Sequence, residues 1–510
     1  MSVKNTKTDN GPMLNSYPDS LGGTLGDVVS FLRKPELVRV FSSYYILPSL
    51  YHTDLDRGFS VIDYSLEQTL ATEEDLENLK KLGIRLKLDF ILNHASVQSP
   101  QFKDLLAKGE KSEYKDFFIN WNKFWDGCGD MCEEGYIIPE DKYIKDMFFR
   151  KPGLPILMVD MPDGKKVPYW NTFYQEVKET PEGRKYLGQM DLNIKSPLVW
   201  DFYDDTLKKI ASYGASIVRL DAFAYAPKEP GLKNFLNEPG TWELLSKVRE
   251  LADKYNLELL PEIHASYNEK IYEVIADKGY MTYDFFLPGL IIDAFESGDG
   301  TTIIGWANEL IDKKIRTVNM LGCHDGIPLL DLKGLIPEER IEKLIKTVVD
   351  RGGYVKDLHG AKNMYYQVNA TYYSALGEDD KRMLAARALQ LFMPGKPQIW
   401  YLDLLAGKND HEAVKRAGAG GHKEINRTNY TLDKAIDALS KNVVSRQLEL
   451  LKFRNTCRAF SFDSKINAKC DGKDIFIEWS NEGSVATLKL DLSNFEFLIT
   501  SKDEMGEEII

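Results

Sequence analysis

The chain has 510 residues, 43% of them hydrophobic, and a formal net charge of -13. That length exceeds the roughly 250 residues of a (β/α)8 barrel, and the acidic balance argues against a nucleic-acid partner, whose binding calls for a basic surface. No apolar run approaches the ~20 residues that span a bilayer, so no membrane partner is expected. The polar opening Met1-Ser2-Val3-Lys4-Asn5-Thr6 does not read as a secretory signal, and five cysteines are a sparse, odd set. Together these features predict a cytoplasmic protein with reduced thiols. Cys128 and Cys132 lack a matching second pair, and the seven histidines form no ligand cluster, so neither a metal nor another cofactor is expected.

In chain order, Arg39-Val40-Phe41 leads toward an apolar strand-like stretch at Tyr45-Ile46-Leu47-Pro48. Residues 73–82 have helical spacing, with Leu76, Leu79 and Leu82 on one face and Gly83 as a stop. The next run, Ile84 to Leu92, reads as a strand, and such alternation predicts βα units around a parallel sheet. The rhythm lapses over 96–195, where Trp121, Trp125 and Trp170 accompany Gly, Pro and charge; aromatics at this density predict a packed insertion rather than a linker. It resumes at Trp200, with Val248 to Ala252 on a helix, and lapses again over 327–377, which reads as an irregular insertion. Ala385 to Phe392 then reads as a helix and Pro397 to Tyr401 as the last barrel strand. Beyond that, Asp474 to Trp479 and Ala486 to Leu490 alternate as strands do. The expected fold is α/β: a (β/α)8 barrel in three parts (1–95, 196–326 and 378–463), two insertions (96–195 and 327–377) and a small C-terminal β domain (464–510).

Three segments carry the chemistry: Arg219-Leu220-Asp221-Ala222, Pro261-Glu262-Ile263-His264 and Cys323-His324-Asp325-Gly326. Each sets a carboxylate where a hydrophobic run ends, and three acids at successive strand ends point to glycosyl transfer. That reaction needs one carboxylate as nucleophile and another as proton donor, on opposite sides of a carbon that becomes cationic. Arg219 precedes Asp221 by two positions, on the same face of a strand, and is its natural charge partner.

The set Asp56-Arg57-Gly58-Phe59, Asn93-His94, the three acidic segments, Tyr372-Tyr373-Ser374-Ala375-Leu376-Gly377, Leu405 to Asp410 and Ile425-Asn426-Arg427 resembles the sucrose phosphorylase branch of the α-amylase superfamily. The resemblance implies that Asp221 is the nucleophile forming a covalent β-glucosyl ester, Glu262 the acid/base, and Asp325 the third carboxylate that holds sugar hydroxyls. It implies retention, with the first two carboxyls about 5–5.5 Å apart. It also implies a glucose subsite of Asp56, Phe59, His94, Gln189, Arg219, His324 and Arg427.

The same resemblance implies an acceptor and phosphate site of Arg150, Lys151, Tyr225, His264, Lys362, Tyr366 and Gln367. Two loops depart from the branch's pattern: residues 148–155 place Arg150 and Lys151 in a shifted order, and Met364 stands where an Asp is usual. Losing a carboxylate while gathering Arg150, Lys151, Lys356, His359 and Lys362 favours an anionic acceptor. In these loops the chain is more similar to the sucrose 6'-phosphate phosphorylases than to the plain sucrose enzymes. The partners implied are a sugar or sugar phosphate and inorganic phosphate. Fructose, glycerate and glycerol stay open as acceptors, as do an α-glucosidase or transglucosidase activity and a homodimeric assembly. A sugar-binding relative without catalysis would have lost a carboxylate, and here all three stand.

Overall fold

The computed structural model describes residues 9–150, 152–181, 183–357, 365–418, 421–503 and 506–510, without the side chains of residues 179, 356, 357, 365 and 366. Eight barrel strands are formed: β1 (Met13–Ser16), β2 (Ser43–Ile46), β3 (Arg85–Ile91), β4 (Ala215–Asp221), β5 (Glu258–Pro261), β6 (Thr282–Asp284), β7 (Thr317–Met320) and β8 (Lys396–Trp400). They make one sheet in the order β5-β4-β3-β2-β1-β8-β7-β6, which is chain order wound around a circle, the topology of a (β/α)8 barrel. Helices follow the strands, among them Leu25–Leu32, Glu73–Lys81, Pro197–Ser212 and Gly240–Lys254. Strands of such a sheet are covered on both faces, which is why β2 and β8 are buried along their whole length. Among the described residues no helix is long and apolar enough to cross a membrane.

Local chemistry sets the boundaries. β2 ends at Ile46, two residues earlier than the apolar run suggests, because Pro48 has no N–H to give a ladder and opens a 3-10 turn, Pro48–Leu50. The helix Glu73–Lys81 starts at a capping box in which Thr72 and Asp75 satisfy each other's backbone N–H groups, and it buries Leu76 and Leu79. Leu82, expected on the same face, is instead the C-cap and is exposed: the chain leaves the helix there through Gly83 at φ +74.

Two compact units can be distinguished, one including Leu47–Gln68 and Leu88–Glu262, the other including β1, β2, Thr69–Lys87 and Ile263–Ile510. In the first, the stretch 96–195 carries short helices, among them Pro100–Lys108, and several hairpins. Ile156–Asp160 pairs with Lys166–Trp170, and Gly183–Asp191 pairs with both Gln175–Thr180 and His94–Ser96. Its core is the aromatic cluster that the composition announces: Trp121, Trp125 and Trp170 are all fully buried, and the last two stack at 6.0 Å.

In the second unit, the described part of the stretch read as irregular contains regular elements. Glu338–Asp350 is a helix that buries Ile341, Leu344 and Val348, a spacing of three and four that is a legible amphipathic signal, and Tyr354–Asp357 pairs with Tyr365–Asn369. The C-terminal sheet has five antiparallel strands, from Lys465–Asp471 to Gly506–Ile509, and turns Ile475, Ile477 and Trp479 inward.

Candidate active site

The first unit brings together Asp221, Glu262, Arg219 and Asp89. Asp221 is the last residue of β4, and Glu262 follows β5, its N–H donating to the Leu220 carbonyl at 3.3 Å. The alternation of a strand puts Arg219 and Asp221 on one side, and the guanidinium lies 3.0 Å from Asp221, 2.9 Å from Glu262 and 2.5 Å from Asp89. One buried cation thus serves three carboxylates, which offsets the desolvation that unpaired acids would suffer. Asp89 was not among the residues singled out from sequence, although a lone acid inside the run Leu86 to Leu92 is the signal that marks it. After Asp221 the chain reverses sharply: Ala222 adopts φ 51, a left-handed conformation, before the 3-10 turn Phe223–Tyr225.

Of the residues expected at the glucose subsite, Arg219, His94 and Gln189 gather around Phe59, whose ring faces the Arg219 guanidinium at 5.3 Å. Its carbonyl accepts hydrogen bonds from His94 Nε2 at 3.0 Å and from Gln189 Nε2 at 3.1 Å. Burial holds His94 below the ordinary imidazole range, so the neutral ring donates from Nε2. Asp56 and Arg57 take φ of 49 and 48 in the tight turn Asp56–Gly58. Gly58 is obligatory there, because a Cβ would meet the Ser49 nitrogen at 2.2 Å.

A second buried cation was also missed. Lys228 lies 2.8 Å from Asp191 and donates to Asn93 Oδ1 at 3.0 Å, and Asp191 in turn accepts from the Thr172 hydroxyl at 2.6 Å. This links the strand bearing His94 to the hairpins of residues 156–191. Of the residues expected to bind the acceptor, Arg150 donates to the Tyr225 hydroxyl at 3.0 Å and lies over the Phe173 ring at 5.1 Å. Phe173 touches both His94, at 4.9 Å, and Tyr225, at 5.3 Å. Lys151, His359, Lys362 and Met364 lie outside the described residues, as do the side chains of Lys356 and Tyr366.

In the second unit Asp325 does not end its strand: β7 stops at Met320 and a turn intervenes, held where Asn426 Nδ2 donates to the Cys323 carbonyl at 2.7 Å. Gly326, at φ +109, lets that turn pass the Val368 carbonyl, which a Cβ would meet at 2.6 Å. Asp325 faces Lys423 at 2.5 Å, His324 Nε2 at 3.1 Å and Arg427 at 3.8 Å. Burial alone would raise its pKa, but His324, Lys423 and Arg427 hold it well below the usual carboxylate range. Lys423, 98 positions away in sequence, left no signal there. Arg427 Nε also donates to the His324 carbonyl at 2.9 Å. Among the described residues, Cys323, His324 and Asp325 place ligand-type atoms within 4.8 Å of one another, but the charges of Lys423 and Arg427 oppose a metal cation there. His264 stacks on Phe285 at 3.9 Å and 20°, with Nδ1 3.5 Å from Asp331. The Gln367 side-chain nitrogen is buried and has no hydrogen-bond partner among the described residues, leaving a donor available to a ligand.

A parallel barrel with paired carboxylates at its strand ends defines a glycosyl-transfer enzyme, and the chain belongs to the alpha-amylase family, whose catalytic domain matches residues 15–290. It is 51% identical over 510 residues to the sucrose 6(F)-phosphate phosphorylase of Ilumatobacter coccineus, covering 98% of this chain and 97% of that one. The sucrose phosphorylase of Streptococcus mutans is 33% identical, with 97% and 98% covered. The crystal structure of sucrose 6F-phosphate phosphorylase from Thermoanaerobacter thermosaccharolyticum matches with a TM-score of 0.87 at 34% identity, over 100% of this chain and 98% of that one.

Proposed function

We propose that the protein is a retaining α-glucosyl phosphorylase that converts sucrose 6'-phosphate and inorganic phosphate to α-glucose 1-phosphate and fructose 6-phosphate, with sucrose as the lesser donor. The observation that carries this reading is the single Arg219 guanidinium shared by Asp221 and Glu262. Arg219 offers Asp221 a countercharge for attack on the anomeric carbon, and Glu262 is the group that gives a proton to the departing fructosyl oxygen. The C1–O bond breaks as the Asp221 ester forms. Phosphate then attacks C1, loses a proton to Glu262, and releases Asp221 as a carboxylate. Asp325, Arg427, His324, His94, Gln189, Asp56 and Phe59 hold the glucosyl unit in this scheme.

On the acceptor side, Arg150, Lys151, Tyr225, His264, Lys362, Tyr366 and Gln367 receive first the fructosyl phosphate and then inorganic phosphate. Arg150 supports the phosphorylated acceptor, because a guanidinium braced by Tyr225 and Phe173 can grip a phosphate with two parallel bonds. The near full-length identity to the sucrose 6(F)-phosphate phosphorylase of Ilumatobacter coccineus supports the same acceptor. We extend the reading to a cytoplasmic location and to insertions at 96–195 and 327–377.

The test is incubation with sucrose 6'-phosphate, and separately with sucrose, with and without inorganic phosphate, followed by identification of the sugars released. Glucose 1-phosphate that appears only when phosphate is present, and faster from the phosphorylated donor, supports the proposal. Free glucose as the product under all conditions would make the protein a hydrolase.

A further inference from the structure

We infer that Asp331 is a positioning residue for His264 and thereby sets the affinity for inorganic phosphate; this rests on the phosphorylase reading and on His264 as a phosphate-binding group. Asp331 lies in the 3-10 turn Leu330–Leu332, 67 positions from His264 and beyond the third carboxylate in the chain. Both side chains are nearly buried, 7% and 5% exposed, and Nδ1 faces the carboxylate at 3.5 Å, a long contact of the kind that tightens when charge arrives.

A histidine is held by its second ring nitrogen as much as by its first. A carboxylate on Nδ1 selects the tautomer with Nδ1–H and stabilises the ring when it becomes cationic. The ring's plane is fixed separately. Phe285 stacks on it face to face at 3.9 Å, and Tyr283 stacks on Phe285 at 5.0 Å, anchored where Lys87 donates to its hydroxyl. Lys87 is itself fully buried and lies over the Tyr45 ring at 3.8 Å. The stack confines His264 to turning within its own plane, and Asp331 opposes that turn. An imidazole so fixed presents Nε2 in one direction, which suits a tetrahedral oxyanion better than a ketose. Burying a carboxylate here has a cost that the barrel core does not require, and the imidazole it faces provides the reason.

The experiment uses the full chain with α-glucosyl fluoride as donor, which loads Asp221 whatever the natural acceptor is, and inorganic phosphate as the varied substrate. Asp331→Ala is expected to raise the KM for phosphate about tenfold while kcat at saturating phosphate falls less than about threefold, as for the loss of an orienting partner. Asp331→Asn keeps an oxygen for Nδ1–H and should recover most of the affinity. His264→Ala should raise the phosphate KM at least as far, and adding Asp331→Ala to it should change nothing more. Losses that multiply in the double variant, or an unchanged phosphate KM in Asp331→Ala, would overturn the inference. If the unmodified protein forms no glucose 1-phosphate from the fluoride, the phosphorylase reading fails instead.

Discussion

The Asp89 carboxylate lies 2.5 Å from the Arg219 guanidinium, in a pair whose side chains are 0% and 4% exposed. Arg219 also meets Asp221 and Glu262, so Asp89 is the fully buried one of the three carboxylates that hold the guanidinium. Asp89→Asn is expected to cost about 3–5 kcal/mol of stability, the range for breaking a buried pair from one side. Urea unfolding at neutral pH measures it, and a loss below about 1 kcal/mol would show that Arg219 does not depend on Asp89.

For the covalent step, Asp221→Asn should abolish turnover while the fold stays intact, because the isosteric amide cannot form the ester. Near-normal turnover in a folded variant would remove Asp221 from the mechanism.

Glu262→Gln should slow donors with poor leaving groups much more than α-glucosyl fluoride, since only the former need a proton. Equal losses on both would assign Glu262 a binding role.

Arg150→Ala should raise the apparent KM for sucrose 6'-phosphate by roughly ten- to a hundredfold and barely change activity on sucrose, as expected for about two charge-assisted bonds to a phosphate. Parallel loss on both donors would place Arg150 on the inorganic phosphate common to both.

Asp284, at the end of β6, accepts from Trp306 Nε1 at 3.1 Å and from the Leu287 N–H at 3.0 Å, yet burial raises its pKa from 3.8 to about 6. Between these two values the folded protein keeps a proton that the unfolded chain releases. The group's contribution to stability is full below pH 3.8 and is lost as pH rises through about 6, by about 3 kcal/mol in all. Asp284→Asn removes this titration, so the variant should gain on its parent as pH rises from 4 to 7. A stability difference that is flat across that window would show that Asp284 is already ionised at the acid end.

Asp221 and Glu262 were legible as strand-end acids because a parallel barrel strand is a short apolar run, and a carboxylate placed where it ends has few structural reasons to be there. The i, i+2 relation of Arg219 to Asp221 followed from strand alternation alone. Their partners were not legible. Asp89 stands 130 positions from Arg219, Asp191 far from Lys228, and Asp325 98 positions from Lys423, so no local pattern ties charge to countercharge. The helix Glu338–Asp350 is different, since Ile341, Leu344 and Val348 carry the ordinary helical period and were legible in the sequence.

Arg454, on the helix Asn442–Thr456, donates to the carbonyls of Leu391 and Gly395, each at 2.8 Å, so it fastens the turn that leads into β8. Its guanidinium is covered by Phe460 at 4.1 Å and by Trp479 at 4.6 Å, and Trp479 belongs to the C-terminal sheet. Trp479 Nε1 also donates to the Phe392 carbonyl at 2.7 Å. The sheet is therefore not an interchangeable module. A chimera that exchanges it between relatives inherits a working last barrel strand only if the incoming sheet brings an indole to the same place, so the two pieces are bound to diverge together.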